Sequence, residues 1–221
     1  MHLLVAATQF EMDAFKAADR SLFERVVSLV CGVGPVETAV RVTRYLAAHH
    51  GEIDTVINFG IGGAYFMEGP DPVGLLDICV AQEEVLGDFG ICYGDETTAF
   101  AGDMFPANRF TLDSRLLRSA TSILARHGLD HHTGVFITVN GASGKRTRGD
   151  GLSAIYGAIC ENMEGAAVAR ACLSYDLPFL ELRAISNMVE DRPGADWKTT
   201  EACTCAARAA ALIVNEIQGT R

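Results

Sequence analysis

The chain has 221 residues, 49% of them hydrophobic, and a formal net charge of −10. That length suits a single domain, residues 1–221, with a substantial core, and the apolar surplus predicts a homo-oligomer, a dimer or larger. The acidic balance argues against nucleic acid or an acidic membrane surface as a general partner, because phosphate contacts need clustered Lys and Arg, and no apolar run reaches the ~20 residues of a bilayer span.

The start, Met1-His2-Leu3-Leu4-Val5-Ala6-Ala7, lacks the basic opening and long apolar stretch of a signal peptide, so a cytoplasmic location is expected. Residues 3–7 read as a strand. A short helix follows over residues 10–18, with Glu11 near its start, then a strand over residues 25–31. Gly32-Val33-Gly34-Pro35 turns the chain into a helix over residues 36–49, and Pro suits a first helical position because the N–H it lacks would be unpaired there. Residues 55–59 form an apolar strand that runs into Gly60-Ile61-Gly62-Gly63-Ala64. Residues 75–81 and 83–86 read as consecutive strands. Residues 87–108 carry few periodic signals and form a long excursion of the kind that is functional or lies at a subunit boundary. Residues 112–127 are helical, with Thr111 or Asp113 suited to the start, and residues 132–139 are a strand. Residues 140–151 are polar, glycine-rich and basic, and read as a loop; residues 155–160 read as a strand. The helix over residues 164–175 places Met163, Ala167, Val168 and Ala171 on one apolar face. Residues 179–186 are a strand, and the Ala-rich residues 199–218 are the closing helix. β-rich runs alternating with helices make an α/β fold with a parallel or mixed sheet.

Seven cysteines are scattered along the chain. Cys203 and Cys205 are two apart on a predicted helix and face different ways. There is no CxxC pair and no His/Cys group at zinc spacing, so the thiols are expected to be reduced and packed as small hydrophobes. No metal or organic cofactor is implied.

Three polar residues carry chemistry. Glu164 stands where a strand gives way to a helix. A carboxylate there is favoured by the helix dipole, and as an acceptor-only group it suits two neighbouring hydroxyls such as those of a ribose; a first-turn Glu that only supports its helix is the plain alternative. Asn187 follows an apolar run near a strand C-terminus, where ligands of open α/β sheets gather. Its carboxamide both donates and accepts, matching O6 and N7–H of a 6-oxopurine; a turn-forming Asn is the alternative. Glu11, at the end of the first strand–loop–helix unit, is placed to take a proton from water, although a Glu in a first helical turn is also ordinary. Gly60, Gly62 and Gly63 allow a ligand close to the backbone. The pattern is neither GxxxxGK[ST] nor GxGxxG, which leaves a dinucleotide site unsupported.

Taken in order, these positions resemble the nucleoside phosphorylase and nucleosidase superfamily over nearly the whole chain. Glu11 falls where the methylthioadenosine/S-adenosylhomocysteine nucleosidases have a water-activating Glu. Cys31-Gly32-Val33-Gly34 and Asn58-Phe59-Gly60-Ile61-Gly62-Gly63 look like their glycine turns, and Met163-Glu164 looks like their ribose-binding pair. Arg183-Ala184-Ile185-Ser186 resembles the strand that carries their purine-site Asp. The resemblance implies a single-domain, three-layer αβα fold with a central mixed β-sheet flanked by helices. It also implies catalytic roles for Glu11 and Asn187, and substrate contacts from Ile61, Gly62, Gly63, Met163, Glu164 and Ser186. The purine-site Asp is replaced here by Asn187, which favours a 6-oxopurine over adenine. The phosphorylases carry a Gly-Asp-Pro-x-Arg type loop after the first strand; this chain reads Ala6-Ala7-Thr8-Gln9-Phe10-Glu11 there, which favours water over phosphate. The set is most similar to the futalosine hydrolases, implying release of hypoxanthine from futalosine in the alternative menaquinone pathway. Lys145, Arg146, Arg148 and Arg192 are then candidates for the substrate's aryl carboxylate, with a solvated basic surface as the other reading. Another purine nucleosidase or phosphorylase, or a non-catalytic nucleoside-binding module, remains an alternative.

Overall fold

Two ten-residue strands lie parallel at the centre of the molecule, β3 (Thr55–Ala64) and β10 (Phe179–Met188). The computed structural model describes residues 1–67, 69–94, 96–100, 102, 106–191 and 197–219. Along its other edge β3 pairs first with β1 (His2–Ala6), in parallel, and then with β9 (Ala158–Asn162), antiparallel. β2 (Val27–Val30) extends the sheet beyond β1. β4 (Ile78–Leu86) joins β10 to β8 (His131–Thr138), and β8 joins β9. The mixed sheet therefore closes through β3, β10, β4, β8 and β9, while β1 and β2 run on as an open wing. Within the long excursion β5 (Gly90–Tyr93) and β6 (Glu96–Ala99) make a hairpin, and β7 (Arg109–Thr111) pairs with β4.

Helices cover both faces. α1 (Gln9–Ala18), α4 (Ser114–Arg126) and α7 (Thr199–Gly219) enclose one core with Phe15, Phe59, Leu124, Leu182 and Ile213. α3 (Pro35–His49) and α6 (Gly165–Ser174) enclose another with Val5, Leu46, Val56 and Val168. α5 (Arg146–Tyr156) caps a third, around Tyr65, Ile137 and Val189, and α2 (Arg20–Phe23) is a single turn. α6 is buried nearly all round, as expected of a small-residue helix pressed between sheet and α3.

Three expectations change. Residues 75–81 and 83–86 are one strand, not two: β4 shifts register against β8 between Ala81 and Glu83, so Gln82 is bulged and the inside–outside alternation breaks there. The expected loop at 140–151 contains the start of α5. Gly149 and Gly151 lie within that helix, and tight packing requires the first of them: a Cβ on Gly149 would lie 2.5 Å from Val189 Cγ1. The strand expected over 155–160 begins at Ala158, because α5 runs to Tyr156 and ends on Gly157 in the left-handed conformation. Among the described residues no helix is long and apolar enough to cross a membrane. All seven cysteines are free, five of them buried, with Cys92 on the β5–β6 hairpin exposed.

Candidate active site

A cavity of about 330 Å³ opens at the C-terminal ends of β1, β3 and β10, beside the β9–α6 junction. That size suits a small organic ligand. Glu11, Ile61, Gly62, Gly63, Met163, Glu164, Ser186 and Asn187 all line it. The eight site residues anticipated from sequence are thus gathered in one place.

One end is acidic. Glu11 is only 4% exposed, and the capping box that starts α1 fixes it: its Oε2 accepts from Thr8 N and Thr8 Oγ1, both at 2.8 Å, while Thr8 Oγ1 accepts from Glu11 N. Its Oε1 accepts from Ile61 N at 3.2 Å. The helix-supporting role and a place in the cavity therefore belong to the same side chain. Of about four acceptor positions on a carboxylate, one is left toward the cavity.

Glu164 is at the N-cap of α6, but its side chain makes no bond to that helix. Asn162 does the capping instead, its Oδ1 accepting from Glu164 N at 2.9 Å and Gly165 N at 2.7 Å. The Glu164 carboxylate is thereby free to reach Gly34 N at 3.1 Å and Arg183 Nη1 at 3.3 Å. The expected dominance of the helix dipole is corrected: burial pushes this carboxyl above the ordinary Glu range, and Arg183 and the Gly34 N–H pull it back toward ionisation.

Arg183 is the guanidinium that sequence reading quoted without a role. It is 1% exposed, pairs with Glu164, and meets Glu181 through Nε at 2.9 Å and Nη2 at 2.8 Å. Burial alone lowers its pKa, but the Glu181, Glu164 and Glu11 carboxylates more than reverse that, so it is held above the usual range and stays charged. Behind it, Glu84 and Glu181 are both fully buried. Burial first, then the charge and hydrogen bond of Glu181, push the Glu84 carboxyl well above the ordinary range, so it is protonated. A proton there answers Glu181 Oε2, which has no hydrogen-bond partner among the described residues. Glu84 in turn accepts from Thr138 Oγ1 at 2.8 Å and Asn162 Nδ2 at 2.5 Å, so the acid pair is tied to the cap that positions Glu164. With Arg183 committed to carboxylates, this end repels a free anion.

The other end is amide-rich. The β10–β3 register shifts between Ile185 and Asn187, which bulges Ser186 and sets Asn187 beside Gly63. Asn187 Nδ2 donates to Met188 O at 3.0 Å, and its Oδ1 lies 2.9 Å from Ser186 Oγ, which also lies 3.2 Å from Gly62 O. One N–H and one lone pair of the amide remain for a ligand. A Cβ on Gly63 would lie 2.9 Å from Asn187 Nδ2, so any side chain there must displace that amide.

Phe10, Val33 and Trp197 surround the mouth; all three are exposed and apolar. Cys203 also lines the cavity, but burial, with Glu11 nearby, pushes its thiol up to about 12, leaving it unreactive as a thiolate. The basic loop's Ala142 lines the cavity, but its cationic side chains do not. Arg146 packs over the Phe66 ring and pairs with Asp150, Arg148 is taken up by Gly141 O, Ser143 Oγ and Asp88, and neither they nor Lys145 line the cavity. Arg192 lies outside the described residues. Sequence reading missed Thr8, Asn162 and Glu161; the Thr8-x-x-Glu11 capping-box spacing was a usable signal for the first.

Residues 11–218 match the family model of the Phosphorylase superfamily. The chain is 36% identical to a futalosine hydrolase of Thermus thermophilus, over 88% of this chain and 84% of that protein. It is 32% identical to a futalosine hydrolase of Streptomyces coelicolor, over 91% and 90% of the two chains. In fold it is similar to a Helicobacter pylori MTAN mutant crystallised with 5′-methylthioadenosine in its active site, with a TM-score of 0.84, 18% identity, and coverage of 97% and 98%. The chain belongs to the phosphorylase superfamily, among the futalosine hydrolases.

Proposed function

We propose that the protein is a nucleosidase that hydrolyses the N-glycosidic bond of futalosine, releasing hypoxanthine and leaving dehypoxanthinyl futalosine in the alternative menaquinone pathway. The observation that carries this reading is a carboxamide, Asn187, at one end of a single cavity whose other end holds two carboxylates, Glu11 and Glu164.

Cleavage builds positive charge on the ribose and negative charge on the leaving base. In this reading Glu164 accepts hydrogen bonds from the ribose 2′ and 3′ hydroxyls, and Met163 packs on the sugar. Ile61, Gly62 and Gly63 floor the site, and Ser186 orients Asn187. The remaining N–H of Asn187 meets O6 of hypoxanthine and its remaining lone pair meets N7–H. An amide has no proton to give, so N7 takes its proton from water. Glu11 accepts a proton from the attacking water as its oxygen bonds C1′; the C1′–N9 electron pair leaves with the base, and Glu11 later returns its proton to solvent. Arg183 holds Glu164 in place. The apolar rim of Phe10 and Trp197 is where the aryl part of the substrate extends. The commitment of Arg183 to carboxylates favours water over phosphate.

A cytoplasmic location and one domain are part of this reading. So is a homo-oligomer: Val33, Val36 and Val40 are 57%, 73% and 59% exposed beside the cavity mouth, a surface suited to a second copy. Light scattering after size exclusion reads that directly. For the activity, chromatography of the purine released from futalosine, inosine and methylthioadenosine is expected to give hypoxanthine from futalosine at a rate independent of phosphate. Adenine release from methylthioadenosine as the faster reaction, or a rate that requires phosphate, rejects the proposal.

A further inference from the structure

Glu181 and Arg183 stand two apart on β10, so both side chains leave the strand on one face. Asn58 sits opposite Glu181 in the β10–β3 register and donates its Nδ2 to Glu181 Oε1 at 3.2 Å. The same oxygen accepts from Arg183 Nε at 2.9 Å and lies 2.8 Å from Arg183 Nη2. Glu181 Oε2 is pressed against the start of α6: a Cβ on Gly165 would lie 2.3 Å from it, and 2.1 Å from Glu84 Oε1. The carboxylate is thus walled in by β3, β10 and α6, and it holds the guanidinium from a fixed position.

Charge balance does not call for this carboxylate. Arg183 already has Glu164 and Glu11 as counter-charges, and burying a further acid next to Glu84 is costly. What Glu181 supplies is geometry. A guanidinium can grip a carboxylate with two parallel N–H groups along either of two edges, Nε with Nη2 or Nη1 with Nη2. Glu181 occupies the first edge, and by drawing on Nη2 it takes away half of the second. The cavity is left with Nη1 alone, shared between Ile61 O at 3.2 Å and Glu164 Oε2 at 3.3 Å. Gly34 N reaches Glu164 Oε1 at 3.1 Å. Among the described residues these two donors fill two of about four acceptor positions on Glu164, so two stay open. In a dry site opposite charges attract strongly. An uncommitted Arg183 would close on Glu164 with both Nη groups, and one opening would remain.

We propose that Glu181 is a positioning residue for hydrolysis: it occupies the two-pronged edges of Arg183, so that Glu164 is held by one prong and keeps two openings, one for each of the ribose 2′ and 3′ hydroxyls. This rests on the reading of Glu164 as the ribose ligand. Glu181 itself touches no substrate, and Gly165 is the residue that lets α6 start directly over it.

Hydrolysis of futalosine and of synthetic 2′-deoxyfutalosine by the full chain tests this, read as the ratio of the two kcat/KM values. Glu181→Gln keeps the shape of the residue but removes the charge that competes for Arg183. Its kcat/KM for futalosine is expected to fall about 10- to 100-fold. The loss on the 2′-deoxy substrate should be about threefold or less, because that nucleoside asks for one acceptor position fewer. The ratio therefore shrinks about 10-fold. Glu181→Asp keeps the charge but withdraws it by one methylene. It should shrink the ratio about threefold, and it carries the test should the amide not fold. Equal losses on both substrates overturn the proposal, since a residue needed only for folding would give that result. So does a ratio that matches the wild type's. A wild type that hydrolyses both nucleosides equally well rejects the ribose role of Glu164 and this role of Glu181 with it. One that releases no hypoxanthine from futalosine rejects the proposed activity itself.

Discussion

The two ends of the cavity share strands β3 and β10 but are built from opposite kinds of chemistry. At the acidic end Glu11, Glu164, Glu181 and Glu84 surround one guanidinium, and the surplus negative charge is relieved by a proton on Glu84. At the amide end Asn187 is oriented by neutral partners, Ser186 and the Met188 carbonyl. Buried charges are costly unless paired, so the acidic end is where one substitution propagates through several ion pairs. The amide end is where a substitution changes which ligand fits. In the proposed reading the first end sets the rate and the second the choice of base, a division that substitutions can test separately.

The largest effect is expected from Glu11→Gln. It keeps the side-chain volume but cannot take a proton from water, so kcat for hypoxanthine release should fall by ~10²–10⁴-fold. KM should change little, because the cavity keeps its shape. Turnover close to that of the wild type removes Glu11 as the base.

Two glycine substitutions strike the ends one at a time. A Cβ on Gly60 would lie 2.5 Å from Glu11 Oε1 and 2.9 Å from Arg183 Nη1. Gly60→Ala must therefore displace groups held by Thr8, Ile61 and Glu181, and a shift of that kind at reacting groups costs about 10²-fold in kcat. Gly63→Ala instead crowds Asn187 Nδ2 and Val189 Cγ2. Its main effect should be on binding, a rise in KM of about 10-fold. If both variants lose kcat equally, the division between the ends is wrong.

Asn187→Asp sharpens the comparison further. A carboxyl there disfavours O6 and favours a 6-amino group, so the ratio of kcat/KM for inosine over adenosine should drop by about 10-fold. An unchanged ratio means Asn187 does not face the base.

The same division governs what could be read from the sequence. The α/β alternation, the glycine-rich end of β3 and the Met163-Glu164 junction were legible because each is local: an apolar run, a turn signal, a strand-to-helix switch. Glu11, Glu164 and Asn187 were legible as a set only through their order along the chain. Arg183 and Glu181 read as charged interruptions of the apolar β10, and nothing local says that Glu84, about a hundred residues earlier, carries the proton that makes the interruption tolerable. The role of Asn162 was hidden because the cap it supplies sits two residues before a more conspicuous Glu. The start of α5 was hidden because Gly149 and Gly151 punctuate like a loop, while the packing against Val189 that requires Gly149 is a tertiary contact.

The smallest effect concerns that proton. The folded Glu84 carboxyl is held well above the ordinary range by burial and by Glu181, whereas in the unfolded chain it titrates normally. Between the two values the native state binds the extra proton, so stability falls as pH rises from the ordinary Glu range up through the folded value, and is fully present below that range. Glu84→Gln is neutral at every pH and removes this slope. The variant still loses about 1–2 kcal/mol, because its amide nitrogen meets the Asn162 Nδ2 donor that Glu84 Oε1 now accepts. Each pH unit above the ordinary Glu range costs the wild type up to about 1.4 kcal/mol, so in denaturant titrations the wild type should be the more stable protein at about pH 4, with the gap closing by about pH 6. A gap that stays constant across that interval would mean that Glu84 is ionised in the native protein. The acidic end would then hold its carboxylates by Arg183 alone.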